Sequence, residues 1–287
     1  MLRALYQALP LSKELRLRIA ARVPLRWKRQ PQFRGYGTIN ELYLWRLDRG
    51  IDTVVPVQNY FSFLFPELDT ATSGTLWVHD RRGREIARRE FELPKSGLHL
   101  VRLSDIADRA LDYGTLMWHI RMPDSVAAQD AVRRNLVYFT DRGYLCYEKA
   151  PNQPCFAHGV DRYAVFQKQD TERHGLFYPE TGRSRAWLAE FPLRPGMQEE
   201  IEIVLINRSP APRQYSVTVH RYGGAEIHRA SIAVEPRGVA LAALDAGVLS
   251  RLEGGDGYFR VDGIPTQWGR PAIMRHFACG AISAMHC

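Results

Sequence analysis

The sequence lacks most features that announce a specific chemistry. No apolar run approaches the roughly 18 residues a helix needs to span a bilayer. Leu2 to Leu11 is interrupted by Arg3, Gln7 and Pro10, so the apolar core of a secretory signal is missing too. Only four cysteines occur in 287 residues, too few for a disulfide-stapled scaffold. Without a leader they are expected to be reduced thiols in a cytoplasmic protein. There is no Gly-rich phosphate loop, no G-x-S-x-G elbow and no H-E-x-x-H helix, which removes the usual signatures of nucleotide enzymes, α/β-hydrolases and zinc proteases. Acidic residues are missing from one place: among the first 34 positions only Glu14 is acidic.

That local shortage creates a basic arm over residues 1–35. Nine of the 39 basic residues lie there, Arg3, Lys13, Arg16, Arg18, Arg22, Arg26, Lys28, Arg29 and Arg34, leaving thirty basic against thirty acidic residues in the rest. The formal net charge of +8 therefore belongs to the arm. Ser12 can cap a helix that Glu14 supports, and Leu11, Leu15, Ile19 and Val23 recur every four residues until Pro24 ends it. Trp27 follows inside a cationic cluster. Such an amphipathic segment can lie in the headgroup plane of an anionic membrane, where each basic residue contributes about 1 kcal/mol. An acidic partner, packing on the protein's own body, or an organelle transit role are the alternatives. Nucleic acid is disfavoured because no basic stripe continues along the body. With Leu-Pro followed by Lys/Arg alternating with Leu, the arm resembles the basic lead-ins of bacterial polysaccharide-synthesis glycosyltransferases. That resemblance implies a cytoplasmic protein peripheral to the membrane in cell-envelope polysaccharide synthesis.

The body is an internal duplication. At a shift of 141 residues, 74–114 falls on 215–255 without gaps, with eleven identities in 41 positions. These include Val78/Val219, His79/His220, Gly83/Gly224, Glu85/Glu226, Arg88/Arg229, Gly97/Gly238 and Gly114/Gly255. Each copy alternates apolar and polar residues, turns at Gly83 or Gly224, then changes phase between Ile86 and Phe91 or Ile227 and Ile232, which predicts a bulge at the same place in both. Short strands with turns every 8–12 residues and no long helix predict an all-β protein of two tandem β-sandwiches, 36–168 and 169–287, joined near the polar run Gln167–His174.

Ile201-Glu-Ile-Val-Leu-Ile-Asn207, Tyr215-Ser-Val-Thr-Val-His220, Glu235-Pro-Arg-Gly238, Arg270-Pro-Ala-Ile-Met-Arg-His276 and Ile282-Ser-Ala-Met285 resemble the soluble transducer family of microbial sensory rhodopsins. The resemblance implies a small, oligomeric β-sandwich with a ligand- or sugar-binding surface, hence a homo-oligomer and, as one function, a signalling adaptor. It brings no catalytic residues.

Three constellations are candidate sites. Tyr43 and Trp45 beside Arg46, Asp48 and Arg49 have the mixture of flat rings and hydrogen-bonding groups that a sugar-binding platform uses, with core packing as the competing reading. Phe61, Phe63 and Phe65 alternate and read as core. The polar segment Tyr144–Arg162 gathers Asn152, Cys155, His158 and Arg162 into what reads as a long functional loop. Cys155-Phe-Ala-His158 and His276-Phe-Ala-Cys279 with His286 could converge on zinc or iron, though the spacings fit no standard site. Buried core thiols, or a Cys155 or Cys279 nucleophile assisted by His158 or His276, are the alternatives. His79 and His220 should face Glu85 and Glu226 across a hairpin. The leading expectation is a non-catalytic, membrane-peripheral binding or scaffold protein holding a glycan or partner protein, with a Cys/His metal-dependent enzyme as the alternative and no cofactor otherwise expected.

Overall fold

The computed structural model describes residues 37–39, 42–133, 143–152, 154–158, 187–193, 199–207, 211–252, 255–264 and 271–286. The basic arm, the Gln167–His174 junction, Arg162 and Cys287 lie outside these, as do the side chains of His158 and His286.

The first half contributes β1 (Gly37–Ile39), β2 (Tyr43–Arg46), β3 (Asp52–Gln58), a short helix α1 (Tyr60–Leu64), β4 (Thr72–Asp80), β5 (Glu85–Leu93), β6 (Leu98–Arg102), β7 (Tyr113–Arg121), helices α2 (Asp124–Ala127) and α3 (Asp130–Arg133), β8 (Tyr144–Glu148) and β9 (Cys155–His158). The second contributes β10 (Trp187–Leu193), β11 (Glu199–Ile206), β12 (Arg213–Arg221), β13 (Glu226–Val234), β14 (Val239–Leu244), helix α4 (Ala246–Ser250), β15 (Gly257–Ile264), β16 (Ala272–Phe277) and β17 (Ile282–His286). No helix among the described residues is long and apolar enough to cross a membrane.

The strands form four antiparallel sheets, two per half, in the same order. Sheet A runs β7–β4–β5 with β1 and β2 sharing the free edge of β7, and sheet B runs β6–β3–β8–β9. Their counterparts are sheet C, β10–β15–β12–β13, and sheet D, β14–β11–β16–β17. The chain is thus the duplicated all-β sandwich that the repeat predicts. β4 and β12, and β5 and β13, start and end 141 residues apart, and the expected bulge is present in both. Val78 faces Ala87 while His79 faces Glu85, and Val219 faces His228 while His220 faces Glu226.

Outside the hairpin the offset changes. Buried Asn59 and Asn207 play one part, their amides donating to the carbonyls of Leu93 (3.4 Å) and Val234 (2.9 Å) respectively. Gly114 corresponds to Gly257 rather than to the Gly255 of the ungapped alignment. A Cβ on Gly114 would stand 2.1 Å from the His79 carbonyl, and one on Gly257 2.4 Å from that of His220.

Sheet D is the element that joins the halves. Ile201, Ile203, Leu205, Ala242, Leu244 and Ile273 face the second core, while Val204, Ile206, Val239, Met274 and Ile282 pack into the first. A strand buried on both faces must be apolar throughout, which accounts for the run Ile201-Glu-Ile-Val-Leu-Ile206. Around this shared layer the β4–β5 turn is pressed onto the β13–β14 turn. The Val239 N–H donates to the Arg81 carbonyl at 3.0 Å, and Thr115 Oγ1 donates to the Arg237 carbonyl at 2.6 Å.

Candidate functional site

Two arrangements combine charge or aromatic surface with defined geometry, and they differ in access. The first is the ion cluster between the halves. Arg46 leaves β2 with its guanidinium fully buried and meets Glu202 of β11 and Asp48, its Nε donating to Asp48 Oδ1 at 2.7 Å. Arg46 Nη1 also reaches Met274 Sδ at 3.1 Å. Glu202 lies 2.8 Å from His276 Nε2, and at the rim Arg49 makes two 2.8 Å bonds to Glu200. Burial alone would raise the Glu202 carboxyl, but the hydrogen bonds from His276 and Arg46 outweigh it and hold the group at about 2. For Arg46 burial is likewise outweighed, by Asp48 and Glu202, and its pKa rises above the ordinary guanidinium value.

Perturbed groups of this kind can mark active sites, but here they lie between packed sheets with Arg46, Glu202 and His276 all under 9% exposed. The cluster is a buried pin between the halves. His79 has a related place: its ring lies 3.5 Å from Thr115 Oγ1, and burial together with nearby Arg237 pushes its pKa down to about 4.

Of the two readings of Tyr43 and Trp45, core packing is the one their burial supports, and the platform of Tyr43, Trp45 and Arg46 is corrected. Tyr43 stacks on Trp118 at 4.9 Å, Trp45 donates to the His79 carbonyl at 2.9 Å, and Arg46 turns to the second half instead of to solvent. Asp48 is a local partner of Arg46, but the acid that draws it inward, Glu202, stands 156 positions later on β11, so the local charge around the rings carried no hint of burial.

The long loop 144–162 is also corrected. β8 and β9 occupy most of its described part, and 149–152 turns away from β8, with Asn152 donating its N–H to the Lys149 carbonyl at 2.8 Å. Phe61 is core as expected, but Phe63 sits on α1 and is 79% exposed. His79 and His220 do face Glu85 and Glu226 in register, yet those carboxylates accept from Arg88 and Arg229 three residues along their own strand.

For the metal candidates, β9 and β17 do lie against each other, bringing the Cys155 and His286 segments together. Cys155 is half-buried and its thiol is pushed up to about 11 by burial, Cys279 is exposed, and His276 is committed to Glu202. Among the described residues no three His, Cys, Asp or Glu side chains are grouped to hold a metal ion.

The second arrangement lies nearer the surface: Arg229 and Glu190 are exposed, Tyr258 and Arg260 half-buried, and His220 and Thr218 buried. The outward face of sheet C carries His220 and Thr218 on β12, Tyr258 and Arg260 on β15, Arg229 on β13 and Glu190 on β10. Tyr258 lies parallel to His220 at 4.9 Å, with the Arg260 guanidinium 5.1 Å from its ring centre. Arg260 Nε donates to Glu190 at 2.6 Å, and Tyr222 on the β12–β13 turn tilts against Tyr258 at 6.1 Å. A flat ring bordered by fixed, exposed donors and acceptors on a sheet is a surface that can stack on a sugar ring and bond its hydroxyls. Sequence reasoning missed it because its members sit on four strands, and Tyr258 beside Phe259 and Val261 reads as one more core-forming strand residue. The repeat was the available signal: the corresponding face of sheet A carries Trp77, Met117 and His119, all buried.

No protein-family model matches the chain, and neither does any curated protein. Among solved structures it is similar to a calcium-binding mutant of Bacteroides uniformis β-glucuronidase 2, at 10% identity over 86% of this chain and 25% of that one with a TM-score of 0.21. It is also similar to Arthrobacter globiformis T6 isomalto-dextranase complexed with panose, at 12% identity over 78% and 34% with a TM-score of 0.22. A third is the calcium-binding domain CBD12 of CALX1.1, at 8% identity over 82% and 81% with a TM-score of 0.16. The chain spans a quarter to a third of the length of the two enzymes. Likenesses at these TM-scores carry no argument about function.

Proposed function

We propose that this protein is a non-catalytic binding and scaffold protein that holds a glycan on the outward face of sheet C and is brought to an anionic membrane surface by its basic arm. The observation that carries the reading is the half-buried Tyr258 ring, stacked on the buried His220, with Arg260, Glu190 and Arg229 around it. The pinned junction between the halves supports a scaffold role, because it holds that face fixed relative to the rest of the body. The charge concentrated in residues 1–35 supports the membrane part, and the lead-in resemblance suggests cell-envelope polysaccharide synthesis as the setting.

The test is affinity electrophoresis of the full chain through gels containing soluble bacterial polysaccharides, followed by calorimetry with whichever retards it. Tyr258→Ala should weaken binding at least about tenfold, the loss expected when a stacking ring is removed, with an unchanged melting curve. No retardation by any polysaccharide, or retardation that survives a Tyr258→Ala/Arg260→Ala double variant, overturns the glycan reading.

A further inference from the structure

Sheets B and D are counterparts strand for strand, yet among the described residues only sheet D has its outward face covered by another layer. On sheet D that face carries Val204, Val239, Leu241, Ala272, Met274 and Ala284, all packed into the first sandwich. The register pairs place Pro56, Leu98, Leu100, Tyr144, Cys146 and Phe156 at the same positions of sheet B. These are comparably apolar, but Leu98, Leu100, Tyr144 and Phe156 are 52%, 61%, 52% and 58% exposed. Phe63 and Leu64 on α1 extend the patch beyond the Leu98 end, where Ser62 Oγ accepts from the Ser96 N–H at 2.8 Å. An apolar patch of this kind, bounded by the edge strand β6 and, across Val54, by the exposed Arg102–Glu148 ion pair at 2.6 Å, marks an interaction surface.

The element that covers sheet D is repeated as well. In the β4–β5 turn the Arg81 carbonyl accepts from Val239, and a Cβ on Gly83 would stand 1.9 Å from the Pro236 carbonyl. The β12–β13 turn has the same internal bonds. Gly224 donates to the Arg221 carbonyl as Gly83 does to that of Asp80, at 3.0 and 2.9 Å. This second turn is open: Tyr222 is 58% exposed, and a Cβ on Gly223 or Gly224 would meet nothing within 4 Å. Each chain therefore presents one covered and one uncovered copy of the face, and one docked and one undocked copy of the turn.

We infer that the uncovered face of sheet B receives the Tyr222–Gly224 turn of a second copy of this chain, continuing between molecules the packing that joins the two halves within one. The Tyr222 carbonyl takes the Leu98 N–H as the Arg81 carbonyl takes that of Val239. The interface differs from the internal one in lacking a buried acid, since Val54 stands where Glu202 does. Because the two surfaces are different, the contact is heterologous and generates a ring or an open filament instead of a two-fold dimer. It does not depend on the glycan reading: the face of sheet B lies in the other half of the chain from Tyr258, although Tyr222 of the turn also tilts against that ring.

Sedimentation velocity of the full chain up to about 100 μM, a range that captures weak specific interfaces, should show a concentration-dependent series beyond the dimer. Leu100→Glu removes the face and Tyr222→Glu the turn. Both residues are exposed, so circular dichroism and melting should be unchanged. Each variant alone should be monomeric, whereas an equimolar mixture should form a heterodimer and stop there, because one intact face meets one intact turn. A two-fold interface through sheet B would leave Tyr222→Glu self-associating, which overturns the inference, as does a wild-type chain that stays monomeric. If wild type is monomeric but replacing Leu15 and Ile19 by Glu makes it associate, the occupant of the face is the chain's own arm. Leu100→Glu, on sheet B and away from the sheet C site, should leave polysaccharide retardation unchanged, which separates this test from that of glycan binding.

Discussion

At the scale of single residues, the charges between the halves set how stability depends on pH. His79 is held near 4, so between 6.5 and about 4 the unfolded chain takes up a proton that the folded chain refuses. Stability is complete above 6.5 and falls as pH drops through that window. Glu202, held near 2, acts in a lower window: its contribution is present above its ordinary value of 4.5 and is lost as pH falls towards 2. His79→Gln should therefore flatten urea midpoints between pH 6.5 and 4 while leaving the steeper loss below 4.5, and Glu202→Gln should do the reverse. Equal slopes in wild type and both variants would remove these groups as the cause. Arg46 is the other residue to alter. Arg46→Met leaves Glu202 buried beside only His276 and the more distant Arg49, and should cost about 3 kcal/mol, while Arg46→Met/Glu202→Leu should cost less than either single change, because only Asp48, nearer the surface, then lacks its partner.

At the scale of elements, the repeat offers an internal control, since each turn exists once docked and once free. Gly83 and Gly224 have φ of 77° and 98°, so alanine at either position takes on a left-handed conformation costing about 1 kcal/mol. Only at Gly83 does the added methyl also collide with the Pro236 carbonyl. Gly83→Ala should cost about 3 kcal/mol or more and Gly224→Ala about 1 kcal/mol by denaturant unfolding; similar losses would mean the turn is not wedged against the second half. Much of this hairpin was legible in the sequence, because the shift of 141, the glycines and the phase change at Ile86 and Ile227 are local patterns that follow from strand periodicity. The destination of Tyr43, Trp45 and Arg46 was not, because Glu202 meets Arg46 only after both sandwiches have formed. Likewise Tyr144–Arg162 looked like loop because its strands β8 and β9 are short and carry polar residues. The candidate site on sheet C was hidden for a third reason: adjacent strands, not adjacent positions, assemble it.

At the scale of the whole molecule, sheet D decides whether this is one folding unit or two. The apolar run from Ile201 to Ile206 was visible as a strand, but its meaning lay in what it lacked, a polar alternate face. With Glu202 as the exception, paired with Arg46 and hydrogen-bonded to His276, the layer completes both cores at once, so neither sandwich can lose it and remain closed. Tandem domains joined by a linker melt separately and transmit little to each other. Here the second core cannot open without uncovering Val204, Ile206 and Met274 in the first. Ile203 faces only the second core and is fully buried, so Ile203→Ala should cost about 3 kcal/mol through the cavity it leaves. Hydrogen exchange then reports how far that loss travels. If sheet D couples the halves, amides of β4 and β7 in sheet A should lose protection by the same free energy as those of β12 and β15, and calorimetry should show one transition whose calorimetric and van't Hoff enthalpies agree. Loss of protection confined to sheets C and D, with sheet A unchanged, would show that the first sandwich stands without its neighbour.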